Sequence, residues 1–330
     1  MPASPTRPPR RARPTLLDVA AAAGVSKSLV SLALRGDPGV SAETRERIVT
    51  VADHVGYRPS LSARALKQGR SMLVGAVISS LDNPYHTEIV ASVEDAAETA
   101  GLSVVLAHGS RERGRLGDRV HQLLDLGVDG LVVVSSWVPE PVLVAAARRA
   151  PVVVVGRTAE PVTGVDSVNN DDEHGAALVV DHLVARGHER IVHVNGSRRP
   201  AGLARRRGYE AAMQAAGLGG LSRVVEPDAT ALAGLLDDGT TAVFARNDVE
   251  ACDVLDGALD VGLRVPADLA VVGYDDTVLA RRARPRLTSV QQQREVMGAR
   301  AVELLVDRLG GRAEDVHEVL EPRLVVRDST

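Results

Sequence analysis

A single cysteine, Cys252, in 330 residues excludes an internal disulfide framework and a multi-cysteine zinc site, and it makes a reducing compartment the expected setting. Aromatic residues are only 2% of the chain. With hydrophobic residues at 45%, the cores have to be built from Val, Leu and Ala, which points to buried Val-rich strands. No apolar run approaches the roughly 20 residues a spanning helix needs, and the opening MPASPTRPPRRARP lacks the apolar segment of an export signal. The expectation is a cytoplasmic protein that is neither secreted nor membrane-inserted. Catalytic signatures are missing too. No G-x-G-x-x-G follows the first strand candidate, and there is no phosphate-binding G-x-x-x-x-G-K-[ST], no G-x-S-x-G elbow and no closely spaced His/Asp/Glu cluster, so no catalysis, metal or cofactor is expected.

What the chain does have is unevenly placed charge. Residues 1–70 hold 12 Lys and Arg against 5 Asp and Glu, a net of +7, whereas the remainder holds 27 against 38, a net of −11. A basic module joined to an acidic body suggests that the module meets a polyanion. Pattern within the module agrees. In TLLDVAAAAGVSKSLVSLALRG, Thr15 stands before an apolar run with Asp18 three residues on, an N-cap arrangement. The helix is predicted to stop at Gly24, and Ser26 to cap a second from Lys27 to about Leu34. Helix, tight turn and helix at this spacing is a helix-turn-helix. Ala20, Val25, Val30 and Leu34 would turn inward, leaving Lys27, Ser28, Ser31 and Leu32 towards the front. A third helix, capped by Ser41, would bring Ile48, Val51 and Val55 to a small core.

That segment, together with VSAETRERIVTVADHVGYRPSLSARAL, resembles the DNA-binding head of the lactose/galactose-repressor family of bacterial regulators. The likeness continues through NPYHTEIV, HLVARGHERI, RRRGYEAAM, ARNDVEA, VPADLAVVGYDD, RLTSVQQ and LVVRDST, covering nearly all of the chain after residue 14. The resemblance implies a homodimer on double-stranded operator DNA. Lys27 and Ser28 fall where the family places base-reading residues, and Leu32 falls where several relatives carry a polar reader. An aliphatic side chain there can touch only a thymine methyl. Thr15, Ser26 and Ser41 are candidate phosphate contacts. In SARALKQGR, Leu66 matches the family's minor-groove wedge, flanked by Ala63, Arg64 and Lys67; a helix this short is marginal alone and would order only on the duplex. The arm 1–13, head 14–58 and hinge 59–71 follow.

Beyond residue 71, short Val-rich runs (MLVGAVI, LSVVLAHG, GLVVVSS, PVVVVG, RIVHVNG, TAVFAR, DLAVVGYD) alternate with amphipathic segments. Such alternation predicts α/β architecture with parallel sheets covered on both faces. The resemblance makes this a two-lobed, type I periplasmic-binding-protein-like body over 72–330, with one lobe from about 72–167 and 293–311 and the other from about 168–290 and 312–330. Ligands bind beyond the carboxyl ends of parallel strands. Asp275, Arg205 and Asn247 lie at such positions with groups suited to a polyhydroxylated or heterocyclic small-molecule effector, a sugar or sugar derivative. Each matches a family effector position, as do Gln292, Tyr85 and His86. Ser135 and Trp137 follow a strand into the same region. Blander readings stand beside these: Asn247 or Asp275 as helix caps, Arg205 as a solvated helix arginine, and His86 as packing.

Three departures from the family pattern matter. Gly156 stands where many sugar-responsive relatives have aspartate. The loop before Arg205 is one residue shorter, and Arg246 replaces a small residue. Arg198, Arg199 and Arg246 together suggest that an anionic effector such as a sugar phosphate is admitted. The rival to a gene regulator is a sugar-binding protein with no regulatory role, which would leave the basic head unexplained. No leucine heptads follow LVVRDST, so a dimer is expected rather than a coil-linked tetramer.

Overall fold

The computed structural model describes residues 14–57, 70–110, 112–135, 137–227 and 239–330. The chain forms two compact units, Met1–Ser71 and Met72–Thr330. In the first, α1 (Leu16–Ala23), α2 (Lys27–Arg35) and α3 (Ala42–Val55) begin at Thr15, Ser26 and Ser41, whose hydroxyl oxygens accept amides of the first turn. Each ends on a glycine in the left-handed region, Gly24, Gly36 and Gly56, where a side chain would be strained. Thr15 and Asp18 form a reciprocal capping box, and those bonds hold the Asp18 carboxyl below its ordinary pKa. The axes of α1 and α2 differ by 103°, within the helix-turn-helix range. Val19, Ala20, Val30, Ala33, Ile48 and Ala52 fill the core, with Val25, Leu34 and Val51 at its margin. Arg45 of α3 donates to the Ala33 and Asp37 carbonyls at 2.9 and 2.7 Å, so one side chain ties the carboxyl end of α2 to α3.

The second unit holds two six-stranded sheets. Strands β1 (Leu73–Ile78), β2 (Ser103–His108), β3 (Gly130–Val134), β4 (Val152–Val155) and β5 (Asp166–Asn170) enter the first sheet, and β6 (Ile191–Val194), β7 (Arg223–Val225), β8 (Ala242–Ala245), β9 (Ala270–Asp275) and β10 (Thr288–Gln291) the second. The chain then returns to give β11 (His317–Leu320) to the first and β12 (Arg323–Val325) to the second. The orders are β11-β5-β4-β3-β1-β2 and β12-β10-β9-β8-β6-β7. All pairs are parallel except β10 with β12. Helices α4 (Pro84–Thr99), α5 (Arg113–Asp125), α6 (Glu140–Ala147) and α11 (Arg294–Leu309) serve the first lobe; α7 (Asp172–Ala185), α8 (Pro200–Ala215), α9 (Asp248–Asp260) and α10 (Val278–Arg282) serve the second.

Both faces of each sheet are covered, as buried parallel strands require. Ile89, Val93 and Ala97 of α4 with Met297, Ala301 and Leu305 of α11 pack on one face of the first sheet, and Leu116, Val120, Leu123 and Leu143 of α5 and α6 on the other. Val179, Leu183, Tyr209 and Met213 cover one side of the second sheet, and Ala251, Val254, Ala258 and Ala280 the other.

All seven Val-rich runs are strands. The lobe boundaries differ from the expected ones. Asp166–Asn170, expected to end the first lobe at 167, is wholly a strand of the first sheet, and residues 317–320, expected in the second lobe, pair with it in register His317↔Ser167. The crossings therefore fall after Asn170, between Gln291 and Arg294, and between Leu320 and Arg323. The polar run DSVNN lacks the apolar signature of its neighbours although Asp166, Ser167, Val168 and Asn170 are buried. The buried Asp166 carboxylate is satisfied by the guanidinium groups of Arg308 and Arg312 at 2.8 and 2.7 Å and by the Val316 amide at 2.8 Å.

Candidate functional site

In the head, Ser26, Lys27 and Ser28 are exposed at the start of α2, while Ser31 and Leu32 are half-buried further along it. Thr15 and Ser41 are exposed at the other two helix starts. The three cap hydroxyls are not equivalent. Thr15 Oγ1 donates to Asp18 at 2.8 Å and Ser41 Oγ to Thr44 at 2.8 Å, so their protons are engaged, whereas Ser26 Oγ accepts from the Leu29 amide at 3.2 Å and keeps a proton to donate. Ala63, Arg64, Leu66 and Lys67 lie outside the described residues.

In the body, the crossovers place the carboxyl ends of both sheets around one cleft of about 630 Å³, within the range of small-molecule sites. Tyr85, His86, Ser135, Trp137, Arg205, Asn247, Asp275 and Gln292 all line it. At its floor is an ionic cluster. Arg205 of α8 is 7% exposed. It donates from Nε to Asp172 at 2.9 Å and from Nη1 to the Arg246 carbonyl at 2.6 Å, lies 3.7 Å from the Asp275 carboxylate, and stacks with its guanidinium carbon 3.6 Å from the Tyr274 ring centre. Gly175 lets that ring in: a Cβ there would collide with the Tyr274 hydroxyl, which accepts from Asn170 Nδ2 at 2.8 Å.

Electrostatics follow from this burial. Removal from water disfavours the Arg205 cation, but Asp172, Tyr274 and Asp275 more than offset it and hold the group charged. Burial raises the Asp172 carboxyl, with Arg205 opposing, and pushes Asp275 up to about 6, with Arg205 and Arg294 pulling back. Asp275 accepts from Gln292 Nε2. Its φ is 103° and that of Asp276 is 50°, two successive non-glycine residues in the left-handed region, a strain that the surrounding structure must hold in place.

Glu88 supplies part of that hold. From α4 in the first lobe, its carboxylate accepts from the Val278 amide at the start of α10 in the second lobe at 3.0 Å, and from Arg294 at 3.0 and 2.9 Å. Arg294, 7% exposed, donates in turn to the Asp276 carbonyl at 2.7 Å.

The remaining sequence candidates combine binding-site and structural positions. Asn247 lines the cleft and also caps α9, its Oδ1 accepting from Glu250 at 2.9 Å, which leaves its NH2 as the group it can present. His86 Nε2 meets Ser79 Oγ at 2.9 Å. Ser135 Oγ accepts from the Trp137 amide at 3.2 Å, and Arg199 lies over the Trp137 ring at 4.0 Å. A Cβ at Gly156 would meet nothing within 4 Å, so the cleft has open space there. Sequence reasoning missed Asp172 and Asn170, which follow or end the unrecognised β5, and Glu250, whose Oε1 pairs with Arg246. Among the described residues, the buried Asn170 Oδ1 and Glu250 Oε2 find no hydrogen-bond partner; both residues line the cleft.

A helix-turn-helix joined to a two-lobed body with a polar cleft between the lobes is the architecture of a DNA-binding transcriptional regulator. Residues 15–60 match the model of the bacterial regulatory proteins, lacI family, and residues 180–330 that of the periplasmic binding protein-like domain. The chain is 32% identical to catabolite control protein A of Priestia megaterium, over 96% of this chain and 99% of that one. It is 36% identical to the transcriptional regulator CelR of Thermobifida fusca, over 97% and 99%. Among solved structures, a lac repressor dimer bound to operator and an anti-inducer superposes with a TM-score of 0.84 at 28% identity, over 96% of this chain and 99% of that one. A CelR–cellobiose complex gives 0.71 at 35%, over 96% and 100%. The chain belongs to the LacI family of bacterial transcriptional regulators. No single helix among the described residues is long and apolar enough to cross a membrane.

Proposed function

We propose that this chain is a homodimeric repressor whose two heads read the half-sites of a near-palindromic operator, and whose operator affinity is set by a sugar or sugar derivative bound between the lobes. The observation that carries the reading is the cleft's buried cluster, in which Arg205, Asp172 and Asp275 of the second lobe line a space bordered also by Tyr85, His86 and Ser135 of the first. A ligand there touches both sheets and favours one lobe arrangement. By linkage, the resulting change in operator affinity equals the ligand's preference for one state, typically ~1–3 kcal/mol. The solved lac repressor dimer on its operator and the CelR–cellobiose complex support the partner classes.

Lys27 and Ser28, exposed at the front of α2, read base edges in this account, with Ser31 and Leu32 behind them. Ser26 contacts phosphate more readily than Thr15 or Ser41 because its proton is available. Ala63, Arg64 and Lys67 follow the minor groove while Leu66 enters between base pairs. A mobility-shift titration of Leu66→Ala should therefore show operator binding weakened by about tenfold or more, since the wedge drives the bend that brings further contacts. An unchanged operator Kd removes the wedge from the account.

In the cleft, Asp275, Asn247, Arg205 and Gln292 hold the ligand from the second lobe and the crossover, and Tyr85, His86 and Ser135 from the first. Asp275 gives this binding a pH dependence. Its carboxyl is raised to about 6, so the folded protein holds the proton more tightly than the unfolded chain does, and its contribution to stability declines as pH rises from ~4 towards 6. Acceptance of effector hydroxyls grows over the same interval. Calorimetric titrations should show effector affinity falling by up to about tenfold per pH unit below 6, and a flat profile from pH 5 to 8 would remove Asp275 as the acceptor.

A further inference from the structure

Inside the cleft lie acceptors that the protein leaves unsatisfied or only partly used. Asn170 Oδ1 and Glu250 Oε2 are buried without a partner among the described residues, and Asp275 is a carboxylate above about pH 6. The two orphaned acceptors, in residues 2% and 8% exposed, call for ligand donors, namely hydroxyl groups, and Asp275, which already accepts from Gln292, has lone pairs left for more.

A separate set of donors lies at the second-lobe rim, where Gly196–Gly202 borders the cleft. This segment is stiff: Asn195 accepts the Ser197 amide at 2.9 Å and donates to the Gly202 carbonyl at 2.8 Å, and Ser197 Oγ accepts the Arg199 amide at 3.2 Å. α8 then begins at Arg199 with no side-chain cap. Among the described residues nothing accepts the amides of Ala201 and Gly202, both of which line the cleft. Beside them project Arg198, exposed and with no carboxylate partner among the described residues, and Arg199, stacked on Trp137. Arg157 pairs with Glu173, Arg205 with Asp172, and Arg246 with Glu250, so Arg198 is the cleft arginine on which the charge test is made.

We propose that the effector is a polyhydroxylated molecule carrying one compact oxyanion, a sugar phosphate or a sugar acid. Its hydroxyls face Asn170, Asp275 and Glu250, and its oxyanion sits between Arg198, Arg199 and the open start of α8. Guanidinium groups bind such oxygens through paired, charge-assisted bonds, and helix-start amides add to them. The open space at Gly156 fits the same ligand class, since a carboxylate there would add negative charge to the cleft. This inference rests on the effector reading above and specifies its chemistry.

The test is a calorimetric titration of the full-length protein with hexose 6-phosphates, hexuronates, the parent neutral hexoses, cellobiose and inorganic phosphate, at low and high salt. An anionic sugar should bind at least about tenfold more tightly than its neutral parent, with the advantage shrinking in salt. Phosphate and uronate arms tell the two oxyanion sources apart. Arg198→Ala, and Arg198→Gln as a milder variant, should erase most of that advantage. Neutral parents that bind as tightly, an anionic sugar whose affinity is indifferent to both variants, or no binding by any anionic sugar overturns the inference. Asp275→Asn separates this failure from that of the effector reading. If a neutral sugar binds and loses affinity in Asp275→Asn, the cleft stands and only the oxyanion falls; if every ligand that binds ignores Asp275→Asn, the cleft assignment itself falls.

Discussion

Arg205→Ala should lower the stability of the body by about 3–5 kcal/mol in urea unfolding and abolish the effector response in operator titrations. The magnitude follows from what remains behind. Asp172, at 2% exposure, loses the Nε donor at 2.9 Å, Asp275 loses its nearest cation, and Tyr274 loses the cation packed on its ring. Breaking a buried ion pair by deleting one partner leaves an uncompensated charge, which costs about that much. Lysine is no substitute, because one ammonium cannot hold Asp172, the Arg246 carbonyl and the ring face at once. Loss of less than 1 kcal/mol with an intact response would mean that the cluster does not organise the cleft.

The second large effect is expected at Glu88. Glu88→Ala deprives the Val278 amide of its acceptor and leaves Arg294 without its carboxylate. The Glu88 side chain is 29% exposed, so water softens the loss, and about 2 kcal/mol is expected. Its functional signature differs from that of Arg205→Ala. Arg294 also holds the Asp276 carbonyl, next to Asp275, so the variant should bind effector with reduced affinity and transmit less of that binding to the operator. Glu88→Gln, which keeps an acceptor for Val278, should fall between the two. An Ala variant with unchanged melting and an unchanged ratio of operator affinities with and without effector removes Glu88 from the coupling.

Legibility in the sequence tracked the range of the interactions. The head could be read because its determinants are local: Thr15 with Asp18, Ser26 with Leu29, Ser41 with Thr44, and glycines that stop each helix. The inner faces were only partly legible, since the core also takes Val19, Ala33 and Ala52, and a small alanine carries little hydrophobic signal of its own. In the body, strands rich in valine announced themselves, while DSVNN and TSVQ did not, being buried through paired polar groups rather than apolar ones. The residues after the obvious strands, Asp275 and Asn247 among them, were found for that reason. Asp172 was not, because its strand was not. Glu88 was beyond reach: its partner Val278 is 190 positions away, and nothing near Glu88 marks it as more than one acidic residue on an amphipathic helix.

The scarcity of aromatic residues has a practical outcome at the rim of the cleft. The chain has one tryptophan, Trp137, and a guanidinium from the opposite lobe lies against its ring. Cationic neighbours and changes in hydration both alter indole emission, and no second indole dilutes the signal. The native protein thus carries an intrinsic fluorophore at the boundary between the lobes. Its emission can be followed without a label throughout a ligand titration of the full-length protein.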